Sequence, residues 1–227
     1  MIAVKEFFDP ATYTLTYIVY NPEKHDAIII DPVWNYEPQG SRIEVHSFNL
    51  LKSYIIEKKL NILAVLETHV HADHISAAQV IKKEFPQSQI CISEQIKEVQ
   101  KTFAPIFNLG EGFKADGSQF DRLIKSDEIL EFGAIHVHAC STPGHTSACM
   151  TYHIGHYLFT GDCLFMPDYG TGRCDFPGGD AGHLFESIQK LYEMADDLTV
   201  CTGHDYQPGG RPVEWHCPLI EQKRSNI

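Results

Sequence analysis

The chain has 227 residues, of which 43% are hydrophobic and 21% charged, and a formal net charge of −12. That length suits a single domain spanning 1–227 and excludes two ordinary domains with a linker, while the composition excludes a disordered chain. The acidic balance argues against a nucleic-acid partner, which would require lysine and arginine to neutralise phosphates, and no apolar run approaches the ~18 residues of a bilayer span, so no membrane partner is expected.

Residues 1–20 lack a basic segment followed by an apolar run, so no secretory signal is expected and a cytoplasmic location follows as the default. The seven cysteines (91, 140, 149, 163, 174, 201 and 217) form no CxxC pair and are odd in number, which reads as reduced, mostly buried thiols.

In chain order, Val4 to Phe8, Thr12 to Tyr20 and Ala27 to Ile30 have the pattern of hairpin-connected strands ending at Asp31-Pro32. Residues 34–42 are rich in proline, glycine and polar side chains and are expected to form a loop. Phe48, Leu51, Ile55 and Ile56 recur at helical spacing, ending near Lys59. The apolar run Ile62 to Leu66 predicts a buried strand, which delivers the chain into Thr68-His69-Val70-His71-Ala72-Asp73-His74. Ser76 is the expected cap of a helix running to about Phe85. A strand at Ile90 to Ile92 and a helix from about Glu94 to Phe103 follow. Several short strands are expected between Leu123 and Cys140, two more around Gly155, a helix from Leu184 to Met194, and a strand at Thr199 to Cys201. Two halves, each with strands followed by helices, predict an α/β fold, an αββα sandwich of two facing sheets.

His-x-His-x-Asp-His at 69–74 is the strongest signal among the 13 histidines. Shuffling this composition would produce it with a probability of about 0.003, so chance is a poor explanation. Residues two apart at a strand end point to one side, so His69 and His71 converge, and Asp73 and His74 in the next turn face back toward the same ion. Three other segments have the form of a strand ending in a glycine turn that carries a ligand: Thr142-Pro143-Gly144-His145-Thr146, Thr160-Gly161-Asp162 and Thr202-Gly203-His204-Asp205. Each alone is ordinary turn chemistry, and together they indicate a metal site on the rim of a sheet. The remaining histidines (25, 46, 136, 138, 153, 156, 183 and 216) include His136-x-His138, whose neighbours supply no carboxylate, and read as ordinary strand residues.

THVHADH, TPGHT, TGD and GHDY, in this order and spread over nearly the whole chain, resemble the metallo-β-lactamase superfamily. Within it the sequence is similar to the persulfide dioxygenases and their bacterial β-lactamase-like branch, through Thr142 to His145 with Cys149 and Thr151-Tyr152, then Gly172-Arg173-Cys174-Asp175-Phe176, then His204-Asp205-Tyr206. The resemblance implies one Fe(2+) per chain held by His69, His145 and Asp162. A two-histidine, one-carboxylate face leaves three positions for substrate sulfur and O2. It implies oxidation of glutathione persulfide with O2 to sulfite and glutathione.

With one iron, His71, Asp73, His74 and His204 would orient ligands or shuttle protons. Arg173 and Tyr206 match positions used around glutathione, a guanidinium suiting its carboxylate; a surface ion pair is the competing reading for Arg173. Cys174 is read as a packed thiol rather than a reactive one. Two departures stand out: Ser147-Ala148 replaces a common acid-glycine pair, and Tyr169-Gly170-Thr171 alters the approach to Gly172. The chief rival is a dizinc thioester hydrolase resembling glyoxalase II, in which all seven side chains hold two Zn(2+); against it, the 23 residues after His204 leave no room for a helical glutathione-holding domain. A nuclease is a second rival, disfavoured by the acidic balance, and a non-catalytic sensor a third, disfavoured by the intact ligand set. Sequence leaves the oligomeric state, a homodimer included, open.

Overall fold

A computed structural model describes residues 1–37 and 39–227. The chain starts with β1 (Ala3–Asp9), β2 (Thr14–Tyr20) and β3 (Asp26–Ile30), a meander in which β1 pairs with β2 and β2 with β3, both antiparallel. Short ribbon strands β4 (Val33–Trp34), β5 (Tyr36–Glu37) and β6 (Arg42–Ile43) precede α1 (His46–Lys58) and β7 (Asn61–Leu66). Then come β8 (Ile75–Ser76), α2 (Ala78–Glu84), β9 (Gln89–Ser93), α3 (Ile96–Ile106) and β10 (Arg122–Ile124). The second half comprises β11 (Glu128–Phe132), β12 (Ile135–Ser141), β13 (Met150–Ile154), β14 (Tyr157–Gly161), α4 (Ala181–Tyr192), β15 (Thr199–Thr202), β16 (His216–Pro218) and α5 (Leu219–Ser225).

Two six-stranded sheets result, ordered β1-β2-β3-β7-β9-β10 and β11-β12-β13-β14-β15-β16. Alternation along the strands decides what each face meets. Leu15, Tyr17, Val19, Ile28, Ile30 and Leu66 of the first sheet pack against Leu130, Val137, Tyr152 and Phe159 of the second. The opposite face of the first sheet, Ile18, Ile29, Ile62 and Val65, is covered by Phe48, Leu51 and Ile55 of α1 and Ile81 of α2. On the second sheet, Leu158 and Val200 meet Leu219 of α5, with Ile188 of α4 alongside. The architecture is therefore the expected αββα sandwich. The unbroken run Ala27 to Ile30 is buried because both faces of its strand are covered.

Several local expectations are corrected. Residues 34–42 carry the ribbon pairs β4–β8 and β5–β6 rather than loop alone, with Pro38 outside the described residues. α2 begins at Ala78, two residues after Ser76, whose hydroxyl still accepts the Ala78 N–H at 3.1 Å. α3 runs past Phe103 to Ile106, with Pro105 in its last turn. β16 and α5 had no counterpart in the sequence pattern. His136 and His138 do have carboxylate neighbours, Glu131 at 3.5 Å and Asp127 at 3.9 Å, supplied by the adjoining strand and turn. Among the described residues, no helix is long and apolar enough to cross a membrane, and all seven cysteines are free, six of them buried.

Candidate metal centre

The strands β3, β7, β14 and β15 end at the same rim, and the chemistry-bearing residues follow those ends: Asp31, His69, Asp162 and His204. β3 and β7 run parallel, as do β14 and β15, so their carboxyl ends gather on one edge, where open α/β sheets place ligands. Cross-links between the sheets fix that edge. Met150 N–H donates to the Thr68 carbonyl at 2.9 Å and the Tyr152 hydroxyl to the Glu67 carbonyl at 2.7 Å. Leu15 N–H donates to Gly203 O at 2.8 Å.

His145 comes from the β12–β13 loop. Asp180 N–H donates to Gly144 O at 2.9 Å and the Ser187 hydroxyl to Pro143 O at 2.6 Å, tying the turn to α4. Cys149 closes it, its sulfur accepting the Thr146 N–H at 3.2 Å. Gly144, at φ +144°, lies so close to Leu184 that a Cβ there would overlap its backbone.

All seven histidine and aspartate side chains expected at the centre are brought together. The Asp162 carboxylate lies 3.4 Å from His145 Nε2, 3.8 Å from His69 Nε2 and 3.3 Å from His204 Nε2. Asp73 Oδ2 lies 3.5 Å from His204 Nε2 and 3.2 Å from His74 Nδ1. The rings of His69 and His71, and of His71 and His74, are each 4.2 Å apart. One ligand atom from each of His69, His145 and Asp162 falls within 4.8 Å of the others, and the same holds for His71, Asp73 and His74.

The donor set fits a metal ion. Among the described residues, six buried side-chain polar atoms lack a hydrogen-bond partner, and four of them are His69 Nε2, His71 Nδ1, His74 Nε2 and Asp162 Oδ1. Leaving such atoms unpaired is costly, and concentrating them on imidazoles and a carboxylate is what a cation would relieve.

The other side of each ring is fixed. Thr68 Oγ1 donates to Asp31 Oδ2 at 2.7 Å, so it accepts from His69 Nδ1–H at 3.0 Å and leaves the Nε2 lone pair free. His145 Nδ1–H donates to the Arg173 carbonyl at 2.6 Å, with the same consequence. His71 Nε2 faces Asp31 at 3.2 Å and Glu67 at 3.3 Å, which leaves Nδ1 toward the centre.

Burial, aided by the neighbouring imidazoles, holds His69 well below the ordinary histidine range, so it is neutral at pH 7. Burial also opposes protonation of His71, but Asp31 and Glu67 outweigh it and raise that histidine well above its usual value. His74 is lowered by burial and by His71, against the pull of Asp73. Burial alone would raise Asp73, yet His74 and His204 hold its carboxyl below the usual range.

Both expected substrate residues border the cavity beside this centre, whose volume is about 1060 Å³. Tyr206 stacks between His204 (5.3 Å, 12°) and Tyr169 (4.6 Å, 29°). Burial and the nearby Asp162 and Asp73 raise its phenol, which stays protonated and able to donate. Arg173 reaches out of the cavity: its side chain is 70% exposed, with Nε 2.8 Å from Asp175 and the guanidinium over the Phe176 ring. The surface ion pair is thus present, and the backbone carbonyl of Arg173, rather than its charge, touches a centre residue.

Sequence reasoning overlooked Asp31, which accepts Thr68 N–H and Oγ1–H and faces His71. It also overlooked Thr14, whose hydroxyl approaches Asp73, His74 and His204 at 3.4, 3.4 and 3.5 Å. Asp205 was noted only as part of the motif. It is buried and grips Arg211 at 2.7 Å, anchoring the loop that carries His204 and Tyr206. A carboxylate directly after the apolar strand Ala27 to Ile30 was the available signal for Asp31.

The family model described as the metallo-beta-lactamase superfamily matches residues 10–204. The chain belongs to the metallo-β-lactamase superfamily. A probable metallo-hydrolase of Burkholderia pseudomallei is 41% identical to this superfamily member over 236 residues, covering 100% of this chain and 80% of that protein. The human mitochondrial persulfide dioxygenase ETHE1 is 28% identical over 208 residues, covering 90% of this chain and 69% of that one. The crystal structure of ETHE1 from Myxococcus xanthus superposes with a TM-score of 0.76 at 26% identity, over 99% of this chain and 83% of that one. These likenesses place the chain among the metal-binding enzymes of the superfamily.

Proposed function

We propose that the protein is a mononuclear iron persulfide dioxygenase, with the ion held by His69 Nε2, His145 Nε2 and the Asp162 carboxylate. The observation that carries this reading is the buried triad of two imidazoles and one carboxylate, with ligand atoms within 4.8 Å of one another, beside a large cavity. The likeness to persulfide dioxygenases in sequence and structure supports it. The overall reaction is R–S–SH + O2 + H2O giving R–SH and sulfurous acid, which ionises to sulfite. The terminal sulfur is oxidised and O2 reduced, with glutathione persulfide as the reference substrate.

Iron(II), held by His69, His145 and Asp162, would supply the activation of O2 toward the persulfide sulfur. The chain's own groups do the rest. Asp31 fixes the tautomer of His69 through Thr68 and orients His71; the Arg173 carbonyl fixes His145. His204 Nε2, 3.5 Å from Asp73 and 3.3 Å from Asp162, orients both carboxylates. Phe165, Tyr169, Phe176 and Tyr206 give the cavity beside the centre an aromatic lining.

One observation favours a second reading, a dinuclear thioester hydrolase. His71 Nδ1 and His74 Nε2 are also buried without partners, beside Asp73, and would suit a second ion. The Burkholderia relative described as a probable metallo-hydrolase agrees with it.

Anaerobic purification with metal analysis, followed by an oxygen-electrode assay and sulfite determination, tests the choice. The dioxygenase reading expects about one iron per chain, with O2 uptake and sulfite that depend on added persulfide. A protein carrying two zincs that hydrolyses thioesters and takes up no O2 with persulfide would overturn it.

A further inference from the structure

The half of the cavity that faces away from the centre is made by α3 and the segment leading to β10, and its character is apolar. Val99, Phe103, Phe107, Leu109, Phe113 and Phe120 line it. Phe107 and Leu109 remain 64% and 44% exposed, with the Phe103 and Phe107 rings stacked 5.7 Å apart. The two glutamines on this side are already engaged. Gln100 Nε2 donates to Gln119 Oε1 at 2.8 Å, Gln100 Oε1 accepts Gly117 N–H at 3.0 Å, and Gln119 Nε2 donates to the Lys114 carbonyl at 2.9 Å.

Among the described residues, Arg173 is the one arginine on the cavity, which no lysine lines, and Asp175 already pairs with it. The other formal charges lining it, apart from the histidines, are the carboxylates of Asp73 and Asp162. A tripeptide such as glutathione would bring two carboxylates and an ammonium to a cavity with one spoken-for guanidinium and a phenylalanine wall. An uncharged hydrocarbon group meets no such penalty, because apolar surface gains by leaving water.

We propose that this wall seats the body of the substrate, and that the preferred substrate is a persulfide whose R group is an aryl or medium-length alkyl chain. The sulfur end lies at His69, His145 and Asp162, and the hydrocarbon lies along α3. This inference rests on the persulfide reading of the centre for its chemistry, and on the wall alone for its selectivity. The volume of about 1060 Å³ leaves room for such a group beyond the sulfur.

Two measurements on the iron-loaded protein test it. The first is anaerobic calorimetry with ethanethiol, butanethiol, hexanethiol and glutathione, the thiol products, which bind without turnover when O2 is absent. The second is O2 uptake with the corresponding persulfides. Affinity and kcat/KM are expected to rise about fourfold for each buried methylene, with hexyl exceeding glutathione at least tenfold. Phe107→Ala is expected to make that gradient shallower, whereas Phe185→Ala, equally exposed but off the cavity, leaves it steep.

O2 uptake with a flat alkyl series, or with glutathione persulfide favoured, overturns the inference and leaves the dioxygenase reading standing. A steep thiol-binding gradient without O2 uptake on any persulfide supports the wall and overturns the dioxygenase reading instead. A Phe107→Ala variant that dissociates a dimer and keeps the gradient would assign the wall to a second copy of the chain and overturn the inference.

Discussion

Behind one side of the cavity His69, Asp162 and His204 stand at strand ends and are 1%, 7% and 1% exposed, whereas on the other Phe107 and Leu109 stand open to solvent. The first wall is held by hydrogen bonds to backbone and to Asp31, and its polar atoms are spent except where a cation would sit. The second is held by helix packing and has almost no directional bonds to offer a ligand. On the proposed reading, the strand ends set the reaction type, and α3 with the segment after it sets the selectivity. Strand ends fix side chains more rigidly than loops, which suits a centre whose ligand atoms must meet within a fraction of an ångström.

Changes to the strand-end wall are expected to have the largest effects. Asp162→Ala removes the carboxylate shared by His69, His145 and His204. Turnover should fall by on the order of 10³-fold, with loss of bound metal, measured by steady-state kinetics and metal analysis. Retained metal with full activity would detach Asp162 from the chemistry.

Gly144→Ala places a Cβ against the Leu184 backbone at a φ that side-chain-bearing residues rarely adopt. A stability loss of about 3 kcal/mol or more is expected in urea unfolding, and a loss under 1 kcal/mol would mean the turn shifts freely. For Asp31→Ala the expectation is a 10- to 100-fold weaker metal affinity, because the tautomers of His69 and His71 are no longer set. Competition with a chelator reads that change. Unaltered affinity would show that the rings hold themselves.

The smallest effect concerns the thiols. Burial pushes the Cys149 thiol up to about 12, and Cys91 and Cys217 likewise to about 12. Alkylation of the native protein at pH 8, followed by mass spectrometry, should therefore label Cys174 first, as the one cysteine with more than slight exposure. Rapid labelling of Cys149, inside the turn that carries His145, would mean the strand-end wall opens readily.

The strand-end wall was legible in the sequence because its residue types are scarce and clustered: His69, His71, Asp73 and His74 lie within six positions, and His145, Asp162 and His204 each follow a glycine. Asp31 was harder to see. In the sequence it is only the end of an apolar strand before a proline, and its role appears once β3 and β7 lie side by side. The carboxylates beside His136 and His138 were invisible for the same reason, since they arrive from β11 and its preceding turn.

The apolar wall was illegible for a different reason. The sequence pattern marks only a helix from about Glu94 to Phe103, and nothing in it distinguishes a face that packs against a sheet from one that lines a cavity. The final strand and helix, β16 and α5, were missed because three-residue strands and seven-residue helices carry too little periodicity.

The account turns on one ion held by three side chains from distant parts of the chain. Anaerobic equilibrium dialysis of the metal-free protein against Fe(2+), on the wild type, His145→Ala and His71→Ala, tests this most directly. The expected result is about one iron per chain for the wild type and for His71→Ala, and none for His145→Ala. Two tightly bound irons in the wild type, or full binding by His145→Ala, would contradict it.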